Sequence, residues 1–258
     1  MRDAYADTGS RRDHNRDRPA GMKLLVVEDD PLHAQFMLDS VSAALPEVTE
    51  MTHVDTGHQG VSEACQGQYP AVVLDLQIPG QNGVEVARNI WARQPATRIL
   101  FWTNYADEAY LRGILRIVPA QSAYGYILKT ASTSRLHLAL RAVMIEGQIM
   151  VDPGVHRFQV RASATRDGLT DSEHNVLIDL AIGMTDKGIA QRRAMSVRSV
   201  QNRLLSIYQK LEVEEDDQGL VNKRARAVYR ALVTRTINVE TMIAAARALE
   251  LWLEQRDQ

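Results

Sequence analysis

From Met22 onward the chain alternates short, continuously apolar runs with longer stretches whose apolar residues recur at helical spacing. "KLLVVE" predicts a strand. "PLHAQFMLDSVSAAL" follows, with Leu32, Phe36 and Val41 near helical spacing and Pro31 suited to a first turn. The alternation continues through "EVTEMTHV" (a weak strand), "GHQGVSEACQGQ" (helix), "AVVLDL" (strand), "GVEVARNIWARQ" (helix) and "TRILFWT" (strand). A helix from Asp107 to Val118, the strand "YGYILK" and the helix "STSRLHLALRAVMIEG" complete it. Apolar strands that scarcely alternate, each followed by a helix, imply a doubly wound, five-stranded parallel sheet covered on both faces. This α/β unit is expected over residues 22–150.

Between 151 and 167 the pattern lapses into Pro, Gly and small polar residues, which reads as a linker. After it the chain is helical. "TDSEHNVLIDLAIG" opens with Thr170 followed three residues on by Glu173, the signature of a capping box. "TDKGIAQRRA" predicts a short helix and "SVRSVQNRLLSIYQKL" a longer one capped by Ser196. An all-α unit is therefore expected over 168–215. After the break at "EVEEDDQG", a helical extension is expected over 219–258, with stretches near Asn222 to Arg235 and Val239 to Gln255.

An open parallel sheet places its functional crevice beyond the carboxyl ends of its strands. In this chain those ends carry Glu28 and Asp29, then Asp75, Thr103 and Lys129. The first strand empties into "VVEDD", three adjacent carboxylates, an arrangement that a cation would explain. Hard oxygen ligands in this number suit Mg²⁺, and a carboxylate beside such an ion can attack a phosphoryl group. Lys129 and Thr103 would supply positive charge and a donor to the moving oxygens. Any one of these residues could be an ordinary polar strand end facing water. Five at consecutive strand ends argue against that reading.

Composition narrows the picture only slightly. The 258 residues are 45% hydrophobic and 24% charged, with a net charge of −2, so overall charge points to no partner class. Cys65 is the sole cysteine, which excludes an internal disulfide and fits a reducing cytoplasm. No apolar run is long enough to span a membrane. Residues 1–21 mix Arg and Asp with no apolar core and are expected to be a disordered tail rather than a secretory signal.

"VVEDDP", "VVLDLQIPGQNGVEV", "FWT" and "GYILK" together resemble the receiver domain of bacterial two-component response regulators. The resemblance implies that Asp75 is the phosphoacceptor. It implies that Glu28 and Asp29 hold Mg²⁺, directly or through water, with Asp75 and the backbone carbonyl of Gln77. Thr103 would be the switch hydroxyl and Lys129 its ion-pairing companion. Tyr126 matches an aromatic switch position, though a plain strand aromatic fits equally. Asp30 would cap the first helix or stand as an outer acid. One departure is "RIVPAQSAYGYILK", longer than the family's compact turn, with Pro119 placed to end the preceding helix.

The stretch from Leu169 to Val213 resembles the LuxR-type helix-turn-helix of the NarL/LuxR response regulators. By that resemblance Val197 to Lys210 is the recognition helix. Gln201 and Asn202 would face the groove of double-stranded DNA, and Arg198, Ser199 and Arg203 would contact phosphates or bases. Gly188 and Arg193 depart from the family's Glu and buried Leu, and Gln201 replaces a usual Lys. In the extension, Met242, Ala246, Leu249 and Leu253 recur at coiled-coil-like spacing. A homodimer contact is favoured for them over docking on their own chain or on another protein.

The reading is a response regulator, phosphorylated by a sensor histidine kinase or phosphorelay protein and controlling transcription, with no external turnover substrate. A phosphatase on the same sheet is disfavoured, because Gln77 stands where such enzymes often have a second Asp. A protein-interaction module and a DNA-binding regulator independent of phosphorylation remain as alternatives.

Overall fold

The computed structural model describes residues 21–79, 81–104, 106–156, 168–213 and 220–255. All of the expected tail but Gly21, and most of the expected linker, lie outside them.

The first unit runs β1 (Met22–Val27), α1 (Pro31–Ala44), β2 (Val48–Val54), α2 (Gly57–Gly67), β3 (Ala71–Leu74), then a small hairpin of β4 (Gln77–Ile78) and β5 (Gln81–Asn82). It continues α3 (Gly83–Arg93), β6 (Arg98–Thr103), α4 (Glu108–Leu115), β7 (Tyr124–Leu128), α5 (Thr133–Met144) and β8 (Met150–Val151). The parallel sheet has strand order β2-β1-β3-β6-β7-β8. Successive strand residues point to opposite faces, and here both faces are buried. Leu25, Val27, Val72, Leu74, Ile99 and Phe101 enter the core beneath α2, α3 and α4. Leu24, Val26, Ala71, Val73, Leu100 and Ile127 enter the core beneath α1 and α5. That is why the strands read as unbroken apolar runs.

The five expected strands are present, and β8 adds a sixth at the edge, where the sequence reads as linker. Only Met150 and Val151 pair, with Gly125 and Tyr126, and Pro153 and Gly154 follow at once, so the run is too short to show a period. The long connection after α4 is anchored. The Trp91 indole Nε1 donates to the Thr97 carbonyl at 2.8 Å, and the Ser122 hydroxyl donates to the same carbonyl at 2.6 Å.

The second unit contains α6 (Asp171–Ala181), α7 (Asp186–Arg192), α8 (Val197–Lys210), α9 (Lys223–Val233) and α10 (Val239–Glu254). The capping box at Thr170 and Glu173 forms as expected. Glu173 also accepts from the Lys210 ammonium at 2.8 Å and the Ser206 hydroxyl at 2.6 Å, which ties α6 to α8. Ala227, Ala231 and Ile237 are fully buried in the same core as Val176, Leu177, Ile189, Val200 and Ile207, so α9 is part of this helical core. Among the described residues no helix is long and apolar enough to cross a membrane.

Arg193, at the place of the family's buried Leu, has a partner on α6. Asp179 is fully buried and accepts from Arg193 at 2.6 Å and 2.9 Å and from Arg192 at 3.0 Å. Removing one member of a buried ion pair strands the other. Asp179→Ala is therefore expected to destabilise the helical unit by about 3 kcal/mol in chemical denaturation. Asp179→Leu combined with Arg193→Leu is expected to recover only part of that loss, because Arg192 also loses its partner.

Candidate functional site

Three strand ends meet at one pocket. β1 delivers Glu28 and Asp29, β3 delivers Asp75, and β7 delivers Lys129. The Lys129 ammonium lies 2.8 Å from Glu28 Oε1 and 2.9 Å from Asp75 Oδ2, with all three side chains almost wholly buried. Oxygen atoms of Glu28, Asp29 and Asp75 lie within 4.8 Å of one another. Asp75 Oδ1 accepts from the Gln77 amide at 3.2 Å. Thr103, at the end of β6, is fully buried, and among the described residues its hydroxyl has no hydrogen-bond partner; neither has Glu28 Oε2.

The electrostatics leave this pocket short of positive charge. Three carboxylates surround one ammonium. Burial pushes the Asp75 carboxyl above its ordinary range, and the Lys129 ammonium only partly pulls it back. Burial likewise pushes Glu28 up, against the hydrogen bond from Lys129, and the Asp75 charge adds to the rise. Two orphaned buried oxygens and an excess of negative charge fit a hard cation with an oxygen-rich ligand beside it.

Local sequence explains the placement. Asp30 caps α1, its carboxylate accepting from the amides of Leu32 at 2.8 Å and His33 at 3.0 Å, which turns the chain away after Asp29. Gly83 begins α3 so close to the acidic strand end that a Cβ would stand 2.2 Å from the Asp75 carbonyl oxygen. Sequence reasoning missed Gly83 and also His33. The His33 Nδ1 lies 3.2 Å from the Lys129 ammonium, and its ring stands edge-on to Trp102. His33's position in the first turn after the acidic run is the signal that could have found it. Tyr126 is fully buried, with the Asp107 amide within hydrogen-bonding reach of its hydroxyl.

The five residues singled out on α8 divide. Arg198, Gln201 and Asn202 are exposed on one surface. Ser199 is half-buried and within 2.8 Å of the Ser196 hydroxyl, inside the helix cap. Arg203 is half-buried and donates to the Ser172 hydroxyl at 2.7 Å and the Ser199 carbonyl at 3.2 Å. On α10, Met242 and Leu249 lean against the helical core, Ala246 is half-buried and Leu253 is exposed. The stripe expected to pair two copies is thus partly used within one chain.

The two units touch through α4. The buried Arg112 guanidinium is 2.8 Å from Glu108 and 3.3 Å from Asp171, and it also donates to the Leu169 carbonyl. Arg116 pairs with Asp171 at 2.9 Å. The Glu108 amide donates to the Arg235 carbonyl at 3.2 Å.

The raised carboxyls have a consequence for stability. An acid whose pKa is higher in the fold than in the unfolded chain loses stability as pH rises from its unfolded value through its folded one. In the absence of divalent cations, Asp75→Asn is expected to unfold at a higher temperature than the parent chain near neutral pH. The gap should close as the pH falls towards about 4, the unfolded carboxyl range, which a series of thermal melts would check.

Comparison with known proteins covers both units. Residues 24–141 match the family model of the response regulator receiver domain. The DNA-binding transcriptional activator DevR/DosR of Mycobacterium tuberculosis is 28% identical over 208 residues, 78% of this chain and 93% of its own. The oxygen regulatory protein NreC of Staphylococcus carnosus is 32% identical over 209 residues, 75% of this chain and 92% of its own. Among solved structures, RcsB dimers bound to two parallel DNAs superpose with a TM-score of 0.56 at 21% identity, over 84% of this chain and 100% of that one. That last likeness concerns the fold. With a receiver domain in place and 32% identity to a regulator over nearly that protein's whole length, the chain belongs to the receiver-domain response regulators and closely resembles those of the NarL/LuxR type.

Proposed function

We propose that this protein is a phosphorylation-controlled transcription regulator in which Asp75 takes a phosphoryl group from a sensor histidine kinase or phosphorelay protein. The observation that carries the reading is the pocket itself: three carboxylates around one ammonium, with the buried Thr103 hydroxyl and Glu28 Oε2 unsatisfied. Glu28, Asp29, Asp75 and the Gln77 carbonyl are the groups that would hold Mg²⁺. When bound, that ion supplies positive charge to the phosphoryl oxygens.

An Asp75 carboxylate oxygen forms the new O–P bond as the N–P bond of the donor phosphohistidine breaks. The bonding electron pair leaves on the imidazole nitrogen. Lys129 stays beside Asp75 and balances the added charge. The Thr103 hydroxyl, with no other partner, donates to a phosphoryl oxygen. A phosphoryl group brings close to two negative charges and three acceptor oxygens, enough to draw Thr103 and the chain following it. Tyr126, buried against the head of α4, is the aromatic that would move with them.

The output is binding of double-stranded DNA through α8. Gln201 and Asn202 are placed to read base edges and Arg198 to meet phosphate, while Ser199 and Arg203 shape and position that surface. The name of the DevR/DosR relative and the DNA in the RcsB structure support this output. Such a regulator would work in the cytoplasm, as a homodimer at a two-fold site. Pairing through Met242, Ala246, Leu249 and Leu253 would require α10 to leave its present position.

One observation favours a second reading, DNA binding independent of phosphorylation: Arg198, Gln201 and Asn202 stand exposed on the unphosphorylated chain. A single experiment separates the two. The chain, treated with Mg²⁺ and acetyl phosphate, is expected to gain one phosphoryl group by intact mass and to bind DNA more tightly, while Asp75→Asn gains none and stays at the basal level. Asn202→Ala should weaken DNA binding by about 1–3 kcal/mol in either state. Equal affinity before and after phosphorylation would favour the second reading.

A further inference from the structure

α10 has two working faces. Met242, Ala245, Leu249 and Trp252 lean on the helical core. Glu240, Ile243, Ala244 and Arg247 follow the spacing of one helix face and look the other way, into a cleft of about 380 Å³ whose opposite wall includes Asp29, Gln77 and the β4–β5 hairpin. The helix thus lies across the mouth of the phosphoacceptor pocket. At its head the Glu240 carboxylate neighbours the Tyr110 hydroxyl of α4, which also neighbours Gln77.

At its head α10 is joined to α4 through a contact between two helix caps. Asp107 caps α4 by accepting from the Ala109 amide at 2.8 Å through Oδ1. Asn238 caps α10 by accepting from the Thr241 amide at 2.8 Å through its own side-chain oxygen. The Asn238 amide then donates to Asp107 Oδ2 at 3.1 Å. Asp107 is buried, follows the Thr103 strand end at the head of α4, and its backbone amide reaches the Tyr126 hydroxyl. Movement of Thr103 and Tyr126 would reach α10 through this residue.

α10 is also the helix held least firmly. None of its residues is buried, whereas every other helix of the second unit buries at least two. Elements with little buried area open first. A helix of this length is marginal in isolation.

We propose that α10 is an in-chain clasp, closed across the mouth of the Asp75 pocket and hinged at the Asp107–Asn238 contact, which loading of the pocket opens. The inference rests on Asp75 being the phosphoacceptor. Opening frees the Met242 to Leu253 stripe, while the exposed surface of α8 is unaffected.

The test is hydrogen exchange on the full chain with Mg²⁺, with and without beryllofluoride, in the parent and in Asn238→Asp. Aspartate still caps a helix, but it sets a carboxylate against Asp107 where the amide donated. Beryllofluoride is expected to protect amides of 76–83 and to speed exchange along α10. Asn238→Asp should speed α10 exchange without beryllofluoride, by roughly tenfold or more, the shift that loss of a hydrogen bond to a charged group brings. Protection at 76–83 with α10 unchanged would overturn the clasp and leave the phosphoacceptor standing. No response at 76–83 would overturn the phosphoacceptor reading, and the clasp with it. Unaltered α10 exchange in Asn238→Asp would remove the joint.

Discussion

The contact of the Lys129 ammonium with Glu28 and Asp75 is the constraint on which the receiver pocket depends. Two buried carboxylates at neighbouring strand ends repel one another, and burial alone disfavours their charged forms. Lys129, delivered by β7, stands between them at 2.8 Å and 2.9 Å and lets both remain at the carboxyl edge of the sheet. Its charge does not match theirs, and Asp29 adds a third acid at the rim. The pocket therefore holds more negative than positive charge. Trp102 braces the ammonium from one side, 5.0 Å from ring centroid to Nζ, and itself stacks on Phe36 of α1. The charged site thus rests on an aromatic wall, so the ammonium has little freedom to leave the carboxylates.

The same economy of contacts governs how the two units meet. Arg112, on α4, is buried between Glu108 of its own helix and Asp171 and the Leu169 carbonyl of the helical unit. A guanidinium offers donors in several directions at once, and here they are shared across both units. α4 is consequently committed to an in-chain contact in this conformation, while the polar surface of α8 is left open. In the proposed clasp, control would act on what α4 and α10 can reach, more than on whether α8 is covered.

Much of this was legible in the sequence because it follows from periodicity and strand ends. β1, β3 and β6 are continuous apolar runs since alternate residues enter two cores, and the polar residue closing each run lies at the carboxyl edge of the sheet. Other features carry no periodic signal. β8 is too short to show a pattern. Gly83 is required by a close approach to the Asp75 carbonyl that only the folded backbone creates. The partner of Arg193, Asp179, lies on a different helix, so its place in the core cannot be read from its neighbours. The stripe on α10 was legible as apolar, but which surface covers it was not. Spacing alone cannot separate a second copy from the chain's own core, and Met242 and Leu249 lie on the latter.

In the proposed function, Glu28, Asp29 and Asp75 form one cation site completed by Mg²⁺. Calorimetric titration of Mg²⁺ into the full chain tests it most directly, with Glu28→Gln and Asp29→Asn titrated alongside. A single saturable site is expected in the parent chain, with a marked loss of affinity in each variant. No saturable binding, or binding that both substitutions leave unchanged, would contradict it.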